Sequence, residues 1–300
     1  MRPLLRGLAP VLLLLAVSAC SSGAPSPAAS QTATIRFASY DFTENQILAE
    51  VYAQAARRAG LPVSVQHGVG TREEVLPALE QGVVDVVIDY VGTALSFTHP
   101  SAEDLPRVPE EMHGMLQDAL GGRGVGVLQS AQAQDQNGFA VTTAFAAEHG
   151  IVRLSDLEAL APKLTFGGPP ECPDRPFCLQ GLENTYGLHF AHVRAMPSRA
   201  ATVEALTSDQ IDVGLLETTD ARLAVAPVVL LTDDRGLQPP ENVVPLVRTA
   251  AIDRWGGKLR TALDAVSARL TTADLVRLNR LVEVDELTPA RAAARWWDGG

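Results

Sequence analysis

The fold is decided by residues 84–95, which read Val84-Asp85-Val86-Val87-Ile88-Asp89-Tyr90-Val91-Gly92-Thr93-Ala94-Leu95. The run begins β-branched and almost wholly apolar, which predicts a fully buried strand of an α/β sheet. It then leaves the sheet through a carboxylate, a phenol, a glycine and a hydroxyl. Ligands of open α/β sheets bind beyond the carboxyl ends of the strands, so these side chains are placed to contact a small molecule. An ordinary strand–helix junction with Thr93 as the N-cap is the alternative, and these residues alone leave both open.

The N-terminus has the pattern of an export signal. Two arginines, an apolar run over residues 8–17 and small residues before Cys20 match the charged, hydrophobic and cleavage regions of a signal peptide. The ending resembles the lipobox of bacterial lipoproteins, which implies removal of residues 1–19 and lipidation of Cys20. Residues 20–33 are small and polar, as in a flexible tether. We predict an extracytoplasmic protein held at the cell membrane through Cys20, with cleavage beside a coincidental cysteine as the alternative.

The chain is acidic. Loss of Arg2 and Arg6 with the signal peptide takes the formal net charge from −11 to −13. This charge argues against nucleic acid or an anionic membrane surface as the partner. The roughly 265 residues after the tether suffice for one large or two medium α/β domains.

Segments of strand and helix pattern alternate from residue 34 onward. Short apolar runs typical of strands lie at residues 34–39, 63–66, 84–88, 124–128, 139–142, 163–167, 211–216, 228–231 and 243–247. Segments of helical period separate most of them, including one at 154–160, and three more helices follow residue 257. Strand–helix–strand repeats of this kind predict parallel βαβ units.

Two lobes follow from a repeated pattern. The run 211–216 parallels 84–88, because each follows a helix, contains an aspartate and continues into polar residues. We predict an α/β protein with lobe I at 34–132 and 236–300, lobe II at 133–235, and a cleft between them. That plan is shared by binding proteins and two-lobed enzymes.

Motifs of catalysis are missing from the sequence. It contains no Gly-x-Ser-x-Gly, no Walker-type phosphate loop and no dinucleotide fingerprint, and its six histidines are scattered. We therefore predict no catalytic residues, no metal and no cofactor. Cys172 and Cys178 lie six residues apart, and in an oxidising compartment they predict a disulfide that closes a loop around Arg175.

Several linked motifs resemble one family. They are Phe37-Ala38-Ser39-Tyr40-Asp41-Phe42-Thr43-Glu44, Asp89-Tyr90-Val91-Gly92-Thr93, Pro169-Pro170-Glu171-Cys172 with Arg175-Pro176, Tyr186-Gly187-Leu188, and Asn242-Val243-Val244-Pro245-Leu246-Val247. In this order the chain is similar to the substrate-binding proteins of ABC importers for glycine betaine, choline, carnitine and related osmoprotectants. The resemblance covers residues 34–297. It implies a type II, two-lobed periplasmic-binding-protein fold that closes over a ligand in the cleft.

The resemblance also implies site residues. A quaternary ammonium has no N–H to donate and is held by aromatic faces, while a carboxylate needs cations, hydroxyls or backbone N–H groups. By position, Tyr90 would form a cage wall, Thr93 would donate its hydroxyl to the ligand, and Arg175 would pair with a ligand carboxylate.

The chain departs from the family at several of these positions. Tyr40 stands where relatives often have lysine, and Asn137 stands where they carry a cage tyrosine. Leu215, Leu216 and Glu217 occupy the exit of the second lobe, where another aromatic is expected. Acids such as Asp89 and Asp135 could replace the aromatic faces with charge; otherwise the pocket takes a different solute. The candidate ligand-binding residues are Tyr40, Asp41, Tyr90, Thr93, Asn137, Arg175, Glu217 and Thr219.

The sequence thus predicts a monomeric solute receptor of an ABC importer that delivers a small zwitterion or cation to a permease and its ATPase subunit. A different polar, non-quaternary solute is the first alternative. An enzyme or signalling domain on the same scaffold is the second, because a fold does not determine a function.

Overall fold

Two five-stranded sheets form the core of the computed structural model, which describes residues 33–99 and 105–299. The strands are β1 (Ile35–Tyr40), β2 (Val63–Gly70), β3 (Val86–Tyr90), β4 (Val125–Val127), β5 (Asn137–Thr142), β6 (Thr165–Gly168), β7 (His192–Ala195), β8 (Val213–Glu217), β9 (Val228–Leu230) and β10 (Val243–Arg248). The helices are α1 (Thr43–Arg58), α2 (Arg72–Glu80), α3 (Val91–Thr98), α4 (Pro109–Gly121), α5 (Thr143–His149), α6 (Leu179–Tyr186), α7 (Arg199–Thr207), α8 (Thr249–Ser267), α9 (Thr272–Glu283) and α10 (Pro289–Trp297). The predicted signal peptide, tether and lipidated Cys20 lie outside the described residues.

The two sheets have equivalent topologies. The first sheet has the order β2-β1-β3-β10-β4 and the second has the order β7-β6-β8-β5-β9. In the first sheet β10 runs antiparallel to both neighbours, and in the second sheet β5 does the same. The remaining pairs are parallel. Each sheet therefore places its third βαβ strand, β3 or β8, next to a strand that arrives from the other sheet.

The aspartate at the start of each third strand fixes the strand's register. Asp85 accepts the backbone N–H of Arg36 in β1 at 3.0 Å and pairs with the Arg36 guanidinium. Asp212 accepts the backbone N–H of Thr165 in β6 at 2.7 Å. The parallel noted between residues 84–88 and 211–216 in the sequence is thus a structural equivalence.

Alternation along β3 explains why both faces of the first sheet are covered by helices. Val86, Ile88 and Tyr90 belong to a buried cluster with residues of α1 and the C-terminal helices, whereas Val87 packs into the cluster on the opposite face. Side chains two apart share a face of a strand, so an apolar run buried on both sides is what the sequence requires.

Two segments carry the chain between the sheets. Residues 128–136 run from β4 to β5, and residues 231–242 return from β9 to β10. The segments pair with each other through an antiparallel bridge between Gln134 and Asn242, and Asp135 donates its backbone N–H to the carbonyl of Glu241 at 3.2 Å. The cleft between the sheets is therefore bounded by a short paired connection.

Some local structure differs from the sequence predictions. Residues Leu154–Leu157 form a 3-10 turn where an α-helix over 154–160 was expected. Tyr90, and not Thr93, is the N-cap residue of α3. β7 escaped prediction because all four of its residues are exposed, which leaves no apolar alternation to detect. In the described part of the chain no helix is both long and apolar enough to cross a membrane.

Candidate functional site

Two neighbouring cavities lie in the cleft between the sheets. The first cavity has a volume of about 160 Å³ and the second about 230 Å³. They share the lining residues Phe42, Asp135, Pro169, Glu171, Arg199 and Glu217. Because the linings combine the loops after β1 and β3 with the loops after β6 and β8, a ligand here would contact both sheets.

Aromatic rings form one part of the first cavity. Tyr90, at the end of β3, is 5% exposed and donates its hydroxyl to Glu44 at 2.6 Å. Phe42 makes a stacked contact with Tyr90 and another with Tyr40, with ring centroids 6.2 Å apart in each pair. Phe177 completes the set from the loop of the second sheet. Three aromatic side chains therefore line this cavity, although only Tyr90 was predicted from the sequence.

A buried ion pair packs against the Tyr40 ring. Asp89 is fully buried and accepts two hydrogen bonds from the guanidinium of Arg72, at 2.5 and 3.0 Å. Tyr40 donates its hydroxyl to the same carboxylate, and the Arg72 guanidinium lies 4.9 Å from the Tyr40 ring centroid. Burial raises the pKa of Tyr40 well above its usual value. Tyr40 lines neither cavity. It packs against Phe42, which lines both.

A second ion pair is open to both cavities. Arg199 is the first residue of α7, and its Nε donates to both oxygens of Glu217 at 2.6 Å. The Glu217 side chain is 18% exposed and that of Arg199 is 24% exposed. Glu217 thus lies at the cleft, as predicted, but its charge is already paired with Arg199.

Two further acids are buried where the sheets meet. Glu44 of α1 accepts hydrogen bonds from Tyr90, from the Thr219 hydroxyl at 2.6 Å and from the Asn279 amide at 2.6 Å. Asp135 accepts the Thr219 backbone N–H at 3.3 Å. Burial raises the pKa of Glu44, and burial together with the charge of Glu44 raises the pKa of Asp135 well above its usual value. Thr219 therefore joins elements of the two sheets at the floor of the cleft.

A third buried acid caps α3. Glu241 is 3% exposed and accepts the Thr93 hydroxyl at 2.5 Å and the Thr93 backbone N–H at 3.0 Å. Burial raises the pKa of Glu241 to about 7. The hydroxyl of Thr93 does lie at the first cavity, but its acceptor is a carboxylate of the protein.

The cysteine loop closes the cavity from the second sheet. Cys172 and Cys178 form a disulfide with their Cα atoms 5.3 Å apart. Within the loop, Arg175 crosses the cleft to donate to Glu73 of α2 at 2.6 Å. Asn137, at the start of β5, donates its amide to the carbonyl of Phe177 at 3.1 Å and thereby holds the loop against the sheet.

The structure brings most of the predicted site residues together. Tyr90, Thr93, Asn137, Arg175 and Glu217 line the first cavity. Asp41, Glu217 and Thr219 line the second cavity. Of the acids considered as replacements for aromatic faces, Asp135 lines both cavities, whereas Asp89 is used by Arg72.

Several lining residues escaped prediction. They are Phe42, Glu44, Arg72, Phe177, Arg199 and Glu241. Phe42 and Phe177 were detectable, since each directly neighbours a predicted site residue or cysteine. Arg72 and Arg199 are each the first residue of a helix, α2 after β2 and α7 after β7. This shared position can be recognised only once the two sheets are known to be equivalent. Within residues 33–99 and 105–299, no group of three or more His, Cys, Asp or Glu side chains is placed to hold a metal ion.

Solved structures share this fold. One described as a glycine betaine/carnitine/choline ABC transporter aligns with a TM-score of 0.71 at 21% identity, covering 88% of this chain and 98% of that chain. Lactococcal OpuAC, closed and complexed with glycine betaine, aligns at 0.64 and 17% identity, covering 89% and 95%. The predicted α/β fold of the type II periplasmic binding proteins is therefore confirmed. The chain is thus a two-lobed α/β protein with a cleft lined from both sheets.

The sequence comparisons give the family. Residues 33–299 match the family model for the substrate binding domain of ABC-type glycine betaine transport systems. A glycine-betaine-binding protein of Pseudomonas aeruginosa is 29% identical over 275 residues, covering 88% of this chain and 87% of that protein. The carnitine transport binding protein OpuCC of Listeria monocytogenes is 26% identical over 282 residues, covering 90% and 88%. The chain belongs to this family and is an extracytoplasmic solute receptor of an ABC transporter.

Proposed function

We propose that this receptor binds a small quaternary ammonium solute, of the glycine betaine, choline or carnitine kind, in the first cavity and delivers it to a permease. The observation that carries the proposal is the combination of three aromatic rings with an excess of acids at one cavity. Phe42, Tyr90 and Phe177 supply π-faces, while Asp135 accepts only neutral donors among its described contacts. A cation without N–H groups is bound by aromatic faces and by carboxyl groups, whose ionised form the cation itself favours, and this cavity offers both.

The predicted residues have distinct roles in this proposal. Tyr90, Asn137 and Glu217 contact the ligand, and Tyr40 positions the aromatic wall through Asp89. Thr93 and Arg175 lie at the same cavity but are engaged by Glu241 and Glu73. Asp41 and Thr219 border the second cavity.

In this proposal lobe I comprises residues 34–132 and 236–300, and lobe II comprises residues 133–235. Contacts between them support a closing motion about the paired connection. Arg175 reaches Glu73, the Thr219 hydroxyl reaches Glu44, and Arg222 reaches Glu283 at 2.9 Å. A ligand that touches both lobes favours the closed state, and the closed state would dock on the permease.

The remaining parts of the proposal rest on the sequence. The protein acts as a monomer without catalysis, and Cys20 carries a lipid anchor. A Cys20→Ala substitution should release the protein from the membrane fraction. Retention of that variant in the membrane would contradict the anchor.

A thermal-shift screen tests the binding function. A ligand at about 100 times its Kd adds roughly 2.7 kcal/mol of stability, which raises the Tm clearly. We expect glycine betaine, choline or carnitine to give this rise, and unrelated polar solutes to give none. A response to a neutral polar solute alone would favour the non-quaternary alternative and overturn the proposal.

Two variants of one residue sharpen the screen. Tyr90→Phe removes the hydroxyl bond to Glu44 but keeps the π-face, so it should retain the ligand-induced shift. Tyr90→Ala removes the face and should lose the shift. The Tm without ligand reports any loss of folding separately. Equal ligand-induced shifts in both variants would show that the Tyr90 ring is not a wall of the site.

A further inference from the structure

The N-terminus of α3 lies at the first cavity, and both donors of its Thr93 are already occupied. Thr93 directs both its backbone N–H and its hydroxyl at the two oxygens of Glu241. Glu241 belongs to the segment that returns the chain from the second sheet to the first. A helix N-terminus attracts anions, so an internal carboxylate fills the position where the carboxylate of a ligand would otherwise be held.

The backbone is shaped to keep Glu241 in this position. A Cβ at Gly92 would lie 2.7 Å from Cγ of Pro239, 2.8 Å from the carbonyl oxygen of Pro240 and 2.9 Å from Cδ of Glu241. Only glycine permits the segment to approach α3 so closely. The two prolines restrict the backbone directly before the acid. Glu241 is therefore a fixed part of the cavity wall.

The other polar donors of the first cavity are also turned toward the protein. Ser96 donates to the carbonyl of Thr93 at 2.9 Å, Gln136 to that of Pro239 at 2.7 Å, and Asn137 to that of Phe177 at 3.1 Å.

The arginines of this cavity are paired as well, Arg72 with Asp89, Arg175 with Glu73 and Arg199 with Glu217. An entering carboxylate would thus compete with an acid of the protein for each of these three arginines. It would also lie beside the carboxyl groups that line the cavity, which include Asp135 and Glu241.

We infer that Glu241 determines specificity in this cleft and that the receptor prefers a quaternary ammonium cation without a carboxylate, such as choline, over a zwitterion such as glycine betaine. This inference rests on the proposed function. Glu241 takes the place of the ligand's carboxylate at α3, and the aromatic rings remain available to the ammonium group. The carboxylate of Glu241 repels the carboxylate of a zwitterionic ligand at close range. The receptor therefore discriminates against the zwitterion by charge repulsion as well as by the shape of the cavity.

Calorimetric titration of the purified protein with choline and glycine betaine at pH 8 tests the inference. For the wild type we expect choline to bind at least about tenfold more tightly, the factor that corresponds to 1.4 kcal/mol. Glu241→Gln removes the charge with little change of shape and should reduce the choline preference about tenfold. Glu241→Ala frees the donors of Thr93 and should raise the affinity for glycine betaine. Glu204→Gln is the matched control, because Glu204 is exposed on α7 and lines neither cavity.

The outcomes separate this inference from the proposed function. Equal affinities for the two ligands in the wild type would overturn the role of Glu241 and leave the function standing. So would a Glu241→Gln variant that weakens both ligands equally. Binding of neither ligand, with no binding of carnitine either, would overturn both proposals. If Glu241→Ala does not fold, the near-isosteric Glu241→Gln variant still gives the ratio of the affinities for choline and glycine betaine.

Discussion

The carboxyl ends of β3 and β8 each contain an arginine–carboxylate ion pair, and the two pairs differ in burial. In each sheet an acid is the last or the second-last residue of the third βαβ strand, and an arginine at the first position of the preceding helix pairs with it. Arg72 pairs with Asp89 in the first sheet, and Arg199 pairs with Glu217 in the second. The first pair has side chains 10% and 0% exposed, whereas the second pair is 24% and 18% exposed.

This difference separates a structural role from a binding role. Asp89 also accepts the hydroxyl of Tyr40 and, at 2.8 Å, the backbone N–H of Tyr90, so its pair orders the aromatic wall from behind. Glu217 lines both cavities and can respond to a ligand. Burial, more than residue type, decides which of the two ion pairs is available to a solute.

Breaking the buried pair should have the largest effect. Asp89→Asn leaves the Arg72 charge buried without its counter-ion, and loss of one partner of such a pair costs about 3–5 kcal/mol. Urea unfolding should therefore show a loss of that size. Arg72→Met combined with Asp89→Asn should recover part of the loss, because no buried charge then remains. A loss below about 1 kcal/mol for the single variant would show that the pair is not structural.

The acid beside this pair should make stability depend on pH. Burial raises the pKa of Glu241 from 4.5 to about 7, although the hydrogen bonds from Thr93 act to lower it. The folded state then binds more protons than the unfolded state between these pH values, so the free energy of unfolding falls as pH rises from 4.5 to 7. The contribution of Glu241 is on the order of 3 kcal/mol. Glu241→Gln should flatten the profile measured from pH 5 to pH 8, and an unchanged slope would contradict this assignment.

The loops after β1 and β6 are ordered by different interactions. In the first sheet, Asn45 accepts the backbone N–H of Tyr40 and donates to the carbonyl of Ile88, both at 2.8 Å. In the second sheet, the Cys172–Cys178 disulfide orders the loop. For so short a loop, removal of the disulfide should cost about 2 kcal/mol. Chemical denaturation of the double serine variant should show this loss, and a Tm unaffected by reductant would contradict it.

The partly buried pair of Arg199 and Glu217 should show the smallest effect on stability. Glu217→Gln should cost about 1 kcal/mol or less, because the pair is partly solvated. The affinity of Glu217→Gln for choline should fall more than that of Asp89→Asn, since Glu217 lines both cavities and Asp89 lines neither. Unfolding and binding measured on both variants test the comparison directly. It fails if Glu217→Gln loses more stability, or if Asp89→Asn loses more affinity.

The sequence predicted correctly those features that depend on the pattern of apolar residues within a single strand. The apolar run before Asp89 and Tyr90 predicted a buried strand, which the structure confirms, and Tyr90 at its end lines the first cavity. Its parallel with residues 211–216 anticipated the equivalence of the sheets. These predictions depend on local alternation, which survives in a single sequence.

The partners of the site residues could not be predicted in the same way. Glu241 reaches Thr93 across 148 positions of the chain, and Arg175 reaches Glu73 across 102. No local pattern encodes such pairs, because they form only when the second sheet and the returning segment are in place. Thr93 and Arg175 were therefore located correctly at the cavity, while their engagement by acids of the protein came only from the structure.

The central claim is that this cleft recognises a quaternary ammonium through aromatic faces and negative charge. The most direct measurement compares choline with its neutral carbon isostere, in which a tert-butyl group replaces the trimethylammonium group. The two ligands have nearly the same shape, so the difference in calorimetric affinity reports the charge alone. A contribution of about 2 kcal/mol or more corresponds to at least about thirtyfold tighter binding of choline. Equal affinity for the two ligands would contradict the account.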